Sequence, residues 1–168
     1  MASSSSFDVS TGVDYMEVHN AVIQATKEIT QRYDFKGLVV SLELDQKEHT
    51  ITLAAPDEFK IAAVWDVLQS KLVRRQVSLK NMTPGEMIPA AGSSVRQVIE
   101  IQDGLTSDMA REISKAVKDA KMKKVQASIQ GDTVRISSPS KDELQTAIAF
   151  LKQLDMGVDL KFSNFRSN

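Results

Sequence analysis

Apolar and polar residues alternate in four short stretches of this chain. From Leu38 to Leu44 apolar side chains fall at 38, 40, 42 and 44, and Ile51 and Leu53 alternate with Thr50 and Thr52. Period two predicts strands, and the polar run Asp45 to His49 predicts the turn between them. Val125, Ala127 and Ile129 alternate with Gln126, Ser128 and Gln130, then Val134 and Ile136 with Thr133, Arg135 and Ser137, across a Gly131-Asp132 turn. That is a second hairpin of the same kind. Each hairpin leads into a proline and then a helical stripe. Pro56 precedes Ile61, Trp65, Leu68 and Leu72, and Pro139 precedes Leu144, Ile148 and Leu151. Ser140 and Glu143 have the spacing of a capping box. Thr50, Pro56 and Leu68 match Thr133, Pro139 and Leu151 at a constant offset of 83 residues.

Another helix is predicted before each hairpin. The first carries Val18, Val22, Ala25 and Ile29 on one stripe after Asp14 and Glu17; the second carries Met109, Ile113, Ala116 and Ala120 after Thr106. Phe7-Asp8-Val9 and Val95 to Ile101 read as the strands that open the two halves, and Val77 to Leu79 and Leu160 to Phe162 as those that close them. Each half is then β-α-β-β-α-β. This predicts an α+β protein of two ferredoxin-like or RNP-like domains, each an antiparallel four-stranded sheet with two helices on one face. The domains expected are 1–83 and 95–168, joined by a linker over 84–94, where two prolines and two glycines cluster around Thr83 to Ser94. Trp65 and the methionines at helical spacing are expected in the core, and His19 has no special role.

Composition narrows the chemistry. The 168 residues are 42% hydrophobic and 26% charged, the balance of a water-soluble globule. There is no cysteine, and the two histidines, His19 and His49, stand apart, which removes disulfides, thiolate nucleophiles and zinc clusters and fits a cytoplasmic protein. No apolar run reaches the roughly 20 residues of a membrane span, and Met1 to Ser6 has no signal-peptide pattern. Split at residue 90, the halves carry net charges of −3 and +2, so any anion-binding surface must be local. Neither G-x-x-x-x-G-K-[ST] nor G-x-G-x-x-G occurs, so side chains would have to hold a nucleotide. With no G-x-S-x-G elbow or metal-ligand set, no catalytic residue, metal or cofactor is expected.

The two sheets offer different polar faces. The first half presents Val39, Ser41, Glu43, Thr50 and Thr52, and the second Gln126, Ser128, Gln130, Thr133, Arg135 and Ser137. Neither carries the aromatic residues on which RNP-type sheets stack bases. The second is rich in amides and hydroxyls, and Arg135 is either a bidentate phosphate ligand or a solvated strand residue. Lys115, Lys118, Lys121, Lys123 and Lys124 form either a sequence-blind phosphate-binding face or a solvated one neutralised by Glu112 and Asp119, with Asp119 paired to Lys115 and Lys123. Arg74 and Arg75 complement a helix dipole. Phe165 and Arg166, placed beyond the last strand, are either a stacking and phosphate-gripping pair or the means by which Phe165 docks on the other domain.

Several strings resemble one family. They are Phe7-Asp8-Val9 before a helix, Tyr33-Asp34-Phe35-Lys36-Gly37 before the second strand, Gln130-Gly131-Asp132-Thr133-Val134-Arg135, Lys141-Asp142-Glu143-Leu144-Gln145 and Phe162-Ser163-Asn164-Phe165-Arg166. Together, from Phe7 to Arg166, they resemble the YajQ-like proteins, a bacterial group described as nucleotide-binding. The chain departs from the family pattern at Ser10-Thr11-Gly12 and around Met82, Met87 and Pro89. The resemblance implies two RNP-like domains with exchanged N-terminal strands, the strand at 7–11 pairing in the second domain and that at 95–102 in the first. The expected function is a non-enzymatic protein binding a nucleotide such as ATP or GTP, a cyclic dinucleotide, or structured RNA such as tRNA; the fold argues for the class, and the resemblance supplies the nucleotide. The candidate ligands to phosphate are Arg135, Arg166, Lys36 and Arg96, with Phe165 and Phe7 as stacking partners. The alternative is a protein-interaction or transcription-regulatory module, with exposed strand edges docking a protein partner.

Overall fold

A computed structural model describes residues 4–167. The elements run β1 (Ser5–Ser10), α1 (Tyr15–Gln31), β2 (Ser41–Asp45), β3 (Thr50–Ala55), α2 (Glu58–Arg74), β4 (Met82–Ala90), β5 (Ser94–Ile101), α3 (Ser107–Asp119), β6 (Gln126–Gln130), β7 (Thr133–Ser138), α4 (Lys141–Lys152) and β8 (Lys161–Ser167). Every helix opens on a side-chain cap: Asp14, Asp57, Thr106 and Ser140 each accept an amide of the first turn. At α4 only half of the expected capping box forms. Ser140 Oγ takes the Glu143 amide, but the Ser140 amide is already donated to Ser138 Oγ at 3.1 Å, so the Glu143 carboxylate has nothing to reach back to.

The described residues fold into two compact units, 13–103 and 4–12 with 104–167, the internal and the terminal unit. Each is an antiparallel sheet with two helices on one face, in the order β2-β3-β5-β4 and β6-β7-β1-β8. β1 lies between β7 and β8, and β5 between β3 and β4. The strand nearest the chain start thus belongs to the sheet built by the chain end. Each unit has its own core. In the internal unit Val18, Ala25, Ile51, Leu53, Ile61, Leu68, Leu72 and Ile99 meet; in the terminal unit Phe7, Val9, Ile113, Val134, Ile136, Ala147 and Leu151 do. Leu68 and Leu151, equivalent in the repeat, are both fully buried.

Four readings of the sequence are corrected. The stretch at 84–94 is not a linker: Met82–Ala90 is β4, paired with β5 along its length and bulged between Pro84 and Met87. β4 is an edge strand, where a proline costs no ladder hydrogen bond on its open side, so the prolines that suggested a linker are tolerated in a sheet. Val77 to Leu79 is not a strand; Val77 is buried and Leu79–Asn81 is a 3₁₀ turn that leads into β4. β2 begins only at Ser41, leaving Val39 87% exposed ahead of it. Met16 lies on α1 but is 72% exposed rather than in the core. Among the described residues no helix is long and apolar enough to cross a membrane.

Candidate functional site: the open sheet and edge cleft of the terminal unit

In β7, Val134 and Ile136 point into the core, so Thr133, Arg135 and Ser137 point away from the helices. Register carries that open face across the sheet. Gln126, Ser128 and Gln130 of β6 stand opposite Ser137, Arg135 and Thr133. On the other side Ser6 and Asp8 of β1 stand opposite Ser137 and Arg135, and Arg166 and Ser163 of β8 opposite Ser6 and Asp8. Lys161 of β8 stands opposite Ser10 on the same row, so the face is made of hydroxyls, amides, one carboxylate, one ammonium and two guanidiniums.

Asp8 organises it. Its carboxylate accepts Arg135 Nε at 3.1 Å and Asn164 Nδ2 at 2.7 Å. Burial pushes this carboxyl's pKa up, but the hydrogen bonds from Asn164 and Arg135 and the charges of Arg135 and Arg166 outweigh it and hold the group below the usual carboxylate value. Arg135 keeps 31% of its side chain exposed, and its outer guanidinium nitrogens make no hydrogen bond among the described residues. One carboxylate between two guanidiniums leaves a local excess of positive charge.

Asn164 also bends the strand. Ser6 and Asp8 are two positions apart in β1, whereas their partners Arg166 and Ser163 are three apart in β8. The extra residue is taken up at Asn164, whose φ of 56° places it in the left-handed region that asparagine tolerates. Simple alternation from the core-packed Phe162 would turn Phe165 onto the open face. The bulge turns it toward the helices instead, where its ring lies 5.9 Å from that of Phe7. Phe7, fully buried, also meets Phe162 edge-on. Beside this pair, between α4 and the β1–β8 edge, is a cleft of about 230 Å³. Lys141, Leu144, Gln145 and Ile148, one stripe of α4, form one wall; Phe7, Phe165 and Arg166 form the other.

The structure thus brings Arg135, Arg166, Phe165 and Phe7 into one unit. Phe165 and Arg166 are not beyond the last strand but within it, and Phe165 packs on Phe7 of its own unit. Phe7 is core, so its ring supports Phe165 and does not offer an open stacking face. Lys36 and Arg96 belong to the internal unit. Lys36 follows the 3₁₀ turn Tyr33–Phe35, and Arg96 lies exposed on β5 between Ala54 and Ile88. The five lysines of α3 and its exit are exposed, and the expected pairs of Asp119 with Lys115 and Lys123 do not form within 4.0 Å. Sequence reading missed Asp8, Asn164, Lys141 and Gln145 as site residues. All four lay inside the strings noted above, but nothing local marks them as neighbours. Among the described residues no group of three or more His, Asp or Glu side chains is placed to hold a metal.

The fold and this site define an α+β protein of two ferredoxin-like units, one of which presents guanidiniums on a polar sheet beside an aromatic-walled cleft. A family model described as nucleotide-binding protein YajQ-like matches residues 5–166. A protein named nucleotide-binding protein from Solibacter usitatus is 50% identical over 163 residues, 97% of this chain and 98% of its own length. One of the same name from Desulfitobacterium hafniense is 50% identical over 166 residues, covering 99% of this chain and 100% of its own. Another, from Chloroherpeton thalassium, is 46% identical over the same length. The chain belongs to the YajQ-like family.

Proposed function

We propose that this is a non-enzymatic cytoplasmic nucleotide-binding protein that holds ATP, GTP, a cyclic dinucleotide or structured RNA such as tRNA on its terminal unit. The observation that carries the reading is the Asp8–Arg135–Asn164 network with Arg166 beside it. Asp8 fixes Arg135 through Nε, which leaves the outer nitrogens oriented for a phosphate at little further entropic cost. The family match and the names of the relatives favour a nucleotide as that phosphate's carrier. A binding role suits the groups present. Asp8, held by two donors below the usual carboxylate range, is committed to accepting hydrogen bonds and is poorly suited to shuttling protons near neutrality.

The test is a thermal-shift screen of ATP, GTP, cyclic dinucleotides and a tRNA mixture at two salt concentrations, with Arg135→Ala and Arg166→Ala as controls. A nucleotide site gives stabilisation that survives raised salt, depends on the base and is lost in the variants. No shift for any nucleotide, or a shift that salt abolishes for every anion alike, refutes the reading. A second reading, a regulatory module docking a protein partner, is favoured by Tyr33, Val39 and Phe59 of the internal unit, which are 91%, 87% and 80% exposed. It predicts that Arg135→Ala leaves function intact while polar replacements at these three abolish it.

A further inference from the structure

We propose that the cleft between α4 and the β1–β8 edge is the base pocket of the site, and that it takes the purine base of a mononucleotide whose phosphates lie on Arg166 and Lys141. This rests on the nucleotide-binding reading and deepens it.

A β-bulge re-aims side chains, and here its effect is specific: it takes Phe165 from the polar face and sets it at the mouth of an apolar cleft, 61% exposed, braced from behind by the buried Phe7. Bracing on one side and exposure on the other leave a ring available to a flat partner. The apolar lining is Phe7, Leu144 and Ile148, which favours an apolar ring over a hydrated group.

Size selects among ligands. At about 230 Å³ the cleft is smaller than the roughly 300–1,000 Å³ of pockets that enclose a whole drug-sized ligand. It therefore takes one ring system and leaves the rest of the molecule outside. A purine covers more of Phe165 and the apolar lining than a pyrimidine does, and stacking strength is what separates bases where hydrogen-bond readout is sparse.

Charge completes the match. Lys141 on α4 and Arg166 on β8 flank the cleft, and neither makes an ion pair within 4.0 Å among the described residues. An apolar side chain of a protein partner would leave both cations unanswered, whereas a nucleotide brings its phosphates to them. Gln145, on the same wall, supplies an amide that both donates and accepts at the base edge. Arg166, which lines the cleft from the edge strand β8, pairs with Ser6 and also lies near enough for its charge to act on Asp8 of the Arg135 network.

Binding of ATP, GTP, CTP, UTP and inorganic triphosphate is measured by titration calorimetry for the wild type, Phe165→Ala and Ile148→Trp, which fills the cleft. ATP or GTP binding that exceeds CTP and UTP and weakens about tenfold or more in both variants, with triphosphate binding unchanged, supports the pocket. Phe165 is exposed, so its variant keeps the test open even where Ile148→Trp fails to fold. Purine nucleotides that bind wild type and Phe165→Ala alike, or no better than inorganic triphosphate, overturn the base pocket while leaving the phosphate site standing. No nucleotide binding to the wild type overturns both.

Discussion

Replacing Asp8 by asparagine changes one atom in a side chain that is 13% exposed and accepts two donors. The carboxylate offers both oxygens; the amide offers one oxygen and turns an N–H toward either Arg135 Nε or Asn164 Nδ2, donor against donor. Hydrogen bonds to a charged group contribute about 1.5–3 kcal/mol each when well formed, and Arg135, with 31% of its side chain exposed, recovers part of its loss from water. The variant should lose about 2 kcal/mol at neutral pH, which for a chain of this size lowers Tm by about 4–8 °C. The dependence on pH is the sharper test. Because the folded-state pKa of Asp8 is depressed below 3.8, its contribution is complete above that value and disappears as pH falls through the lower, folded value. Urea denaturation followed by circular dichroism should therefore give a gap between wild type and Asp8→Asn that is full at neutral pH and closes in acid. In the Arg135→Ala background the gap should shrink even at neutral pH, since the two side chains are coupled. A gap that is the same at every pH, or unchanged in that background, refutes the assignment of the network's strength to the Asp8 charge.

Two further outcomes follow from local geometry. Gly104 has φ +91°, and a Cβ there would sit 2.7 Å from Asp132 Oδ2, whereas Gly157, at φ +73°, has open space. Gly104→Ala should cost about 1–3 kcal/mol and clearly more than Gly157→Ala in urea denaturation; equal losses would show that the contact with Asp132 yields freely. Tyr15, whose hydroxyl meets His49 Nδ1 at 2.5 Å, has its pKa pushed up to about 12 by burial and then by the charge of Asp103. Since the folded state holds this proton more tightly than the unfolded chain, the stability it contributes is complete below pH 10.0 and declines as pH rises toward 12. Ultraviolet titration should show a late phenolate step that Tyr15→Phe removes, and a step that persists in the variant would contradict this.

Much of the fold was legible because its signals are local. The alternations at Thr50 to Leu53 and Thr133 to Ile136 became β3 and β7, whose open and buried faces follow from period two alone. Asp14, Thr106 and Ser140 became caps because a short polar side chain before an apolar stripe can satisfy the first free amides wherever the helix sits. Arg135 was legible as an open-face residue for the same reason. The misreadings share a cause. Pro84, Gly85 and Pro89 are turn formers on their own, and only their place at a sheet edge turns the segment into β4. Phe165 and Arg166 looked like a tail because the pattern broke after Phe162, and the break was the bulge at Asn164.

The sequence by itself thus determined the four helices, the two hairpins with their faces, and the repeat, but not β4 or the full length of β8. It could not determine which sheet each opening strand joins. Phe7 and Val9 alternate as Val95, Gln97 and Ile99 do, and either strand presents an inward row that suits a four-stranded sheet; backbone hydrogen bonds carry no address. The tertiary structure placed β1 between β7 and β8, and with it set Asp8 beside Arg135 and Asn164, side chains 127 and 156 residues away. The same placement set Phe7 behind Phe165 and opened the cleft against α4. The candidate site consists of contacts between distant segments, so it exists only once that strand has chosen its sheet.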